Sequence, residues 1–309
     1  MHSIVSEPMN QLIVPTLNTM SFIHYHLKSN HIMTQRLLAI VLALALIGWS
    51  CNNATDQEQA DDMADFASDE EFKDKHEEPE TVEFTPQGKN MTFDTPDGQT
   101  GTAYALMPAE ESNKYLFVIH EWWGLNDNIR QEADRLFGEL ENVNVMALDL
   151  YEGNVADNAD DAGKYMQAAA QKQDRLEAII NGALAYAGDD AKVATIGWCF
   201  GGGWSLRSSI LAADKGAGCV IYYGMPVQDK EALAPLQGDI LGIFATKDAW
   251  ITPEVATNFE TLAKDAGKNI SIHQFEADHA FANPSSPRYV EEAAQEANAL
   301  ALAFLKERL

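Results

Sequence analysis

Seven residues, Gly197-Trp198-Cys199-Phe200-Gly201-Gly202-Gly203, constrain this 309-residue chain most. They separate a β-like run, 191–197, from a helix-like run, 204–211. A sharp strand-to-helix turn holds its central residue in a strained conformation. Side chains two positions away must be nearly absent, which explains the flanking glycines. With a nucleophile at its centre, such a turn is a nucleophile elbow, here with cysteine where serine is commoner. The turn also sets Cys199 at a helix N-terminus, where the dipole and free N–H groups favour a thiolate. Taken alone, G-x-C-x-G also describes a glycine-rich turn around a buried cysteine.

Partner residues narrow the reading. An apolar run over 239–248 ends in Asp248, and a second over 271–275 leads into a loop carrying His279. Nucleophile, acid and base in that chain order fit a triad on the α/β-hydrolase fold. Carboxylate and imidazole at the C-terminal ends of successive strands lie where a parallel sheet collects its chemistry. Upstream, 115–120 reads as a strand running into the turn His120-Glu121-Trp122-Trp123-Gly124, with a helix over 127–137. In this fold that turn donates an oxyanion-hole N–H. Glu121 is unusual there for a serine hydrolase; a helix cap or a solvated acid is the plainer reading of it.

The wider pattern agrees. A hairpin is expected from 89–98 into 101–107. Strands near 115–120, 143–149, 193–197, 218–223, 240–245 and 270–275 alternate with helical stretches, and a helix over 289–305 closes the chain. This alternation predicts a mostly parallel central sheet with helices on both faces, in a single globular α/β domain over 83–309.

At this point the chain resembles the dienelactone hydrolases, Cys-dependent α/β-hydrolases, over Val82 to Leu309. The matching residues are His120-Glu121-Trp122-Trp123-Gly124, Asp149-Leu150-Tyr151, Gly197-Trp198-Cys199-Phe200-Gly201-Gly202, Lys247-Asp248 and Asp278-His279-Ala280-Phe281. The resemblance implies Cys199 as nucleophile, His279 as base and Asp248 as the acid orienting it. Glu121 becomes a carboxylate that contacts the thiol and keeps it quiet until substrate displaces it. The backbone N–H groups of Trp122 and Phe200 become the oxyanion hole. The reaction implied is hydrolysis of an ester or lactone through a thioester acyl-enzyme, without a cofactor. The type enzymes also grip a substrate carboxylate with arginines. Here Asn283 stands at one such position, and 152–156 holds no arginine. Bidentate carboxylate recognition is thereby lost, and dienelactone itself is not the expected substrate. Arg207 and Arg288 are near the motifs in sequence, which by itself does not place either in the cleft. Trp123, Tyr151, Trp198, Trp250 and Phe281 are candidates for the pocket wall, with core packing as the alternative.

The N-terminal quarter reads as address. Residues 33–51 look like an export signal: Arg36 near the start, an apolar run over 37–47, then Gly48-Trp49-Ser50-Cys51. The apolar run is too short to span a bilayer. Cys51 is the candidate lipidated residue of a lipoprotein processing site. The expectation is an exported protein, periplasmic or cell-surface, anchored to the membrane through Cys51. Residues 1–32 sit awkwardly before that signal, and Met33 is the expected initiator. Residues 52–82 read as an acidic flexible tether. From Asp56 to Glu83 there are 13 Asp or Glu against two Lys, and such a stretch buries too little apolar surface to order itself.

A formal net charge of −26 argues against nucleic acid as a partner, and none is expected. Three cysteines, with Cys51 in the signal and Cys219 in a core strand, give no disulfide framework. The histidines show no metal-ligand spacing along the chain. Three function classes fit: a hydrolase of esters or lactones, a thioesterase or other acyl-transfer enzyme on the same triad, and a non-catalytic binding lipoprotein.

Overall fold

Each apolar run in the second half of the chain becomes a strand of one sheet, and the helix-forming runs between them pack around it. The computed structural model describes residues 62–80 and 82–309; the export signal at 33–51 and the stretch before it lie outside the described residues. The strands are β1 (Lys89–Asp94), β2 (Thr100–Leu106), β3 (Lys114–Ile119), β4 (Asn144–Leu148), β5 (Lys192–Trp198), β6 (Gly216–Tyr222), β7 (Asp239–Ala245) and β8 (Ile270–Phe275). Their order is β1-β2-β4-β3-β5-β6-β7-β8. The β1–β2 hairpin adds antiparallel to β4, and every later neighbour is parallel. This is the α/β-hydrolase architecture that the strand and helix pattern predicts.

The helices are α1 (Glu70–Lys75), α2 (Asp127–Glu139), α3 (Ala159–Ala170), α4 (Gln173–Ala187), α5 (Phe200–Ala212), α6 (Pro253–Asp265) and α7 (Glu291–Arg308). Among the described residues, no helix is long and apolar enough to cross a membrane. The central strands β3 and β5 are buried along nearly their whole length, as a covered parallel sheet requires. The edge strands β1 and β8 each bury only one residue fully, Phe93 and Phe275. The Cys199 turn therefore leaves the sheet from its best-packed part, whereas the His279 loop leaves from the edge strand β8.

The acidic tether is the main correction. Residues 62–80 are ordered and belong to the same compact unit as the sheet. A 3-10 helix at Asp62–Ser68 precedes α1, and Asp69 caps α1 by accepting from the N–H groups of Glu71 (2.9 Å) and Phe72 (3.4 Å). Met63, Ala67, Phe72 and His76 are buried, whereas the acids around them stay exposed or half-exposed. Composition averaged over the segment hides this one-sided apolar pattern. Burial of Phe72 alone stabilises the docked segment by about 1.5–3 kcal/mol. Lys73 ties it to Asp160 at 3.1 Å, and the Glu80 N–H donates to the Ser285 carbonyl at 3.0 Å.

Candidate active site

β5 ends at Trp198 and α5 begins at Phe200, so Cys199 is the whole connection. Its backbone takes φ 55° and ψ −121°, in the left-handed half of the map that L-residues avoid. The glycines make that turn feasible. A Cβ on Gly197 would collide with the Gly201 carbonyl, and one on Gly201 with the carbonyls of Ile119 and His120. The helix thus starts four residues earlier than its apolar run suggests, and the Phe200 N–H is among the first-turn donors with no intrahelical acceptor. The sulfur-bearing residue is 2% exposed.

Asp248 follows β7, and His279 follows β8. Asp248 Oδ1 accepts from the N–H groups of Trp250 (3.0 Å) and Ile251 (2.9 Å), which fixes the carboxylate. Its Oδ2 accepts from His279 Nδ1 at 2.6 Å, and both side chains are fully buried. Burial alone would lower the His279 pKa, but the Asp248 carboxylate and Cys199 outweigh it and push the imidazole up to about 10. With Nδ1–H given to Asp248, Nε2 is the atom left for chemistry, and it faces the Cys199 sulfur.

Glu121 lies just beyond β3 and is 4% exposed. Its Oε2 accepts from Asn283 Nδ2 at 2.6 Å. Burial raises its pKa to about 7, with His279 and Asn283 pulling weakly the other way. Asn283, where an arginine was sought, therefore holds Glu121. His120 has a scaffolding part: Nδ1 donates to the Glu121 carbonyl at 2.6 Å, and Nε2 accepts from the Leu150 N–H at 3.2 Å. Desolvation lowers its pKa, which suits a neutral ring accepting at Nε2. Asp149 organises the neighbouring loop by accepting from the Tyr151 and Gly153 N–H groups at 3.2 and 2.7 Å.

Cys199, His279, Glu121, Trp122 and Trp123 line one cavity of about 20 Å³. The other aromatic candidates do not. Tyr151 packs at 5.2 Å from the Phe200 ring behind the elbow, and Phe281 packs on Tyr223 and Phe275 in the core. Trp198 stacks on Tyr222 and lines a neighbouring cavity with Glu121 and Asn283. Trp250 packs at 5.1 Å against Phe72 of the covering segment. A place beside a motif loop does not fix which way a ring turns: a loop end has two sides, and Tyr151 and Phe281 pack on the inner one. Of the two arginines, Arg288 lines the Cys199 cavity, whereas Arg207 lies 5.5 Å over the Trp204 ring.

Sequence reasoning missed His76. It also lines this cavity, with its ring 5.0 Å from that of His279 and 5.1 Å from that of Trp122. His76 Nδ1 donates to the Phe72 carbonyl at 2.6 Å, and Nε2 has no partner. Burial, and then the charge of His279, hold its pKa well below the usual value. The one available signal was its place four residues after Phe72 in an otherwise acidic stretch.

A mostly parallel sheet with a strained cysteine after β5, a buried aspartate after β7 and a histidine after β8 is the arrangement of an α/β-hydrolase. A sequence profile of the dienelactone hydrolase family matches residues 102–309. The chain belongs to that family and is a dienelactone hydrolase-like hydrolase acting on ester or lactone bonds. The protein usf of Aquifex pyrophilus is 31% identical over 205 residues, 63% of this chain and 88% of that one. Carboxymethylenebutenolidase 1 of Cupriavidus pinatubonensis is 30% identical over 216 residues, 66% of this chain and 90% of that one. A solved structure from Klebsiella pneumoniae, assigned to the dienelactone hydrolases, superposes with a TM-score of 0.58 at 22% identity, covering 71% of this chain and 98% of that one.

Proposed function

We propose that the chain hydrolyses small esters or lactones through a Cys199-His279-Asp248 triad and a thioester acyl-enzyme. The observation that carries this reading is the strained Cys199 in one cavity with His279, whose other nitrogen is bonded to the anchored Asp248. A raised imidazole pKa favours an imidazolium beside a thiolate. The Cys199 sulfur attacks the carbonyl carbon. The N–H groups of Trp122 and Phe200 hold the oxyanion, each such donor being worth about 2.7–4 kcal/mol in comparable sites. Collapse breaks the ester C–O bond, and His279 Nε2 protonates the departing alkoxide. His279 then takes a proton from water as that water attacks the thioester, which releases the acid and restores the thiolate. Glu121, poised near neutrality, disfavours a permanent second anion beside the sulfur until substrate enters.

The cavity is far too small for an ester as it stands, so substrate entry requires segment 62–80 to swing aside. Lys75 and Arg288 flank the opening and favour an anionic group on the substrate. We also propose that the protein is exported as a lipoprotein, on the pattern at 33–51. The test of the function is hydrolysis of p-nitrophenyl esters, aryl lactones and acyl thioesters by the full chain beside Cys199→Ala. Turnover lost in the variant, with the acyl group trapped on Cys199 in mass spectra, is the expected result. Equal turnover by both proteins would overturn the assignment.

A further inference from the structure

Among the described residues, His76, Cys199 and His279 form a buried group in which one ligand atom from each lies within 4.8 Å of the other two. Positions 76, 199 and 279 show no metal spacing in the linear sequence; the fold makes the cluster by laying α1 over the elbow. Each imidazole already has the support that a metal-bound histidine needs. His279 Nδ1 donates to Asp248 and His76 Nδ1 to the Phe72 carbonyl, both at 2.6 Å. Metal-ligating histidines characteristically give their second N–H to a carboxylate or a backbone carbonyl, which fixes the ring and turns the other nitrogen to the ion. His76 Nε2 is buried without a hydrogen-bond partner, and His279 Nε2 faces the Cys199 sulfur. A buried polar atom left unpaired costs about 1–3 kcal/mol, so His76 Nε2 calls for an occupant.

We propose that His76, Cys199 and His279 bind a borderline-soft divalent cation of the Zn²⁺ class, which pins segment 62–80 over the nucleophile. Two imidazoles and a thiolate suit that class better than a hard cation such as Mg²⁺. Bond lengths of about 2.0–2.1 Å to nitrogen and about 2.3 Å to sulfur require the ligand atoms to close in by about 1 Å. His76 supplies that movement, because it follows a six-residue helix outside the sheet. The remaining cavity of about 20 Å³ is room for one water in the fourth position. Binding sends the one proton of the Cys199–His279 ion pair, held on Nε2, to solvent. The bound sulfur and imidazole are then unavailable for acyl transfer; this consequence, unlike the binding, rests on the hydrolase reading.

The test is a Co²⁺ titration of the full chain, followed by displacement with Zn²⁺. The expected result is one equivalent of tetrahedral Co²⁺ with a thiolate-to-metal charge-transfer band that Zn²⁺ abolishes. The band should be missing in Cys199→Ala. In His76→Gln, which keeps a polar side chain of similar length, affinity should fall by at least about tenfold to a hundredfold. Thermal melts of each variant show that it is folded. A full-strength band in Cys199→Ala, undiminished affinity in His76→Gln, or no band in the unaltered protein overturns the proposal. An inactive ester panel with a normal Co²⁺ band would overturn the hydrolase reading and leave the metal site standing. Active hydrolysis without a band would do the reverse.

Discussion

Glu121→Gln isolates the energetics of the buried carboxyl. The folded protein holds the Glu121 proton up to about pH 7, against an ordinary value of 4.5. A folded-state pKa above the unfolded value means that the folded chain binds the proton more tightly. The associated stability is fully present below pH 4.5 and is lost as pH rises to about 7, after which the loss levels off. At 1.36 kcal/mol per unit, the span from 4.5 to about 7 corresponds to about 3 kcal/mol. Glutamine has the same shape, keeps an oxygen for Asn283 Nδ2 and cannot ionise. Its amide adds a buried donor whose cost is independent of pH.

The quantity to measure is therefore the difference between variant and parent, not either stability alone. Urea unfolding of both full-length proteins at pH 5 and pH 8 gives it. Glu121→Gln should gain about 2–3 kcal/mol on the parent between those pH values, whichever is the more stable at pH 5. The titration of His279 is common to both proteins and largely cancels. A difference that stays constant within about 1 kcal/mol would refute the reasoning, because Glu121 would then ionise alike in both states. Alkylation of Cys199 across the same range should change its pH profile as well; an unchanged profile would remove Glu121 from the control of the thiol.

Three further predictions rest on single residues. Asp248→Asn should cut kcat by about 10⁴, as loss of the orienting acid does in serine triads. It should also shrink the stability that the raised His279 pKa supplies below pH 6.5 and that vanishes as pH passes about 10; urea midpoints at pH 6 and pH 10 that differ as in the parent would count against it. Phe72→Ala removes a fully buried ring from the covering segment, a change worth about 3–5 kcal/mol in a core. Since the segment can undock alone, iodoacetamide should modify Cys199 at least about tenfold faster while the global urea midpoint barely moves; an unaltered alkylation rate would mean that the segment does not guard the thiol. Radiolabelled palmitate should enter the full-length protein in cells and fail to enter Cys51→Ser, and equal labelling would exclude Cys51 as the anchor.

The sheet and the acid-base pair were legible because physics leaves few alternatives at those positions. A covered parallel strand must be apolar on both faces, so runs such as 115–119 and 193–198 announce themselves. The elbow needs absent side chains at Gly197 and Gly201, and the predicted strain appears as the positive φ of Cys199. Asp248 and His279 were legible through their order and their places after strands. The pocket wall was not. Side-chain direction at a loop end depends on what packs behind it, and the sequence does not say that Tyr151 turns toward Phe200 or Phe281 toward Tyr223.

The covering segment was misread for a different reason, and the reason bears on how such a site works. Averaged over 56–83, acidic side chains swamp the few apolar ones, and disorder is the sound inference from the average. Docking needs no average. It needs Met63, Ala67 and Phe72 on one side, with the acids free to stay in water. The docked segment gains a few kcal/mol from those three side chains and gives back about 1–3 kcal/mol for the unpaired His76 Nε2. The unpaired nitrogen offsets part of that gain and ordering the segment's backbone offsets more, so the segment is held lightly. A lightly held cover suits a buried thiolate: it can keep the sulfur at 2% exposure and still yield to a substrate. Any ligand that satisfies His76 Nε2 in the docked state turns the unpaired atom from a cost into an attachment, and by mass action each tenfold excess over its Kd holds the cover by a further ~1.4 kcal/mol.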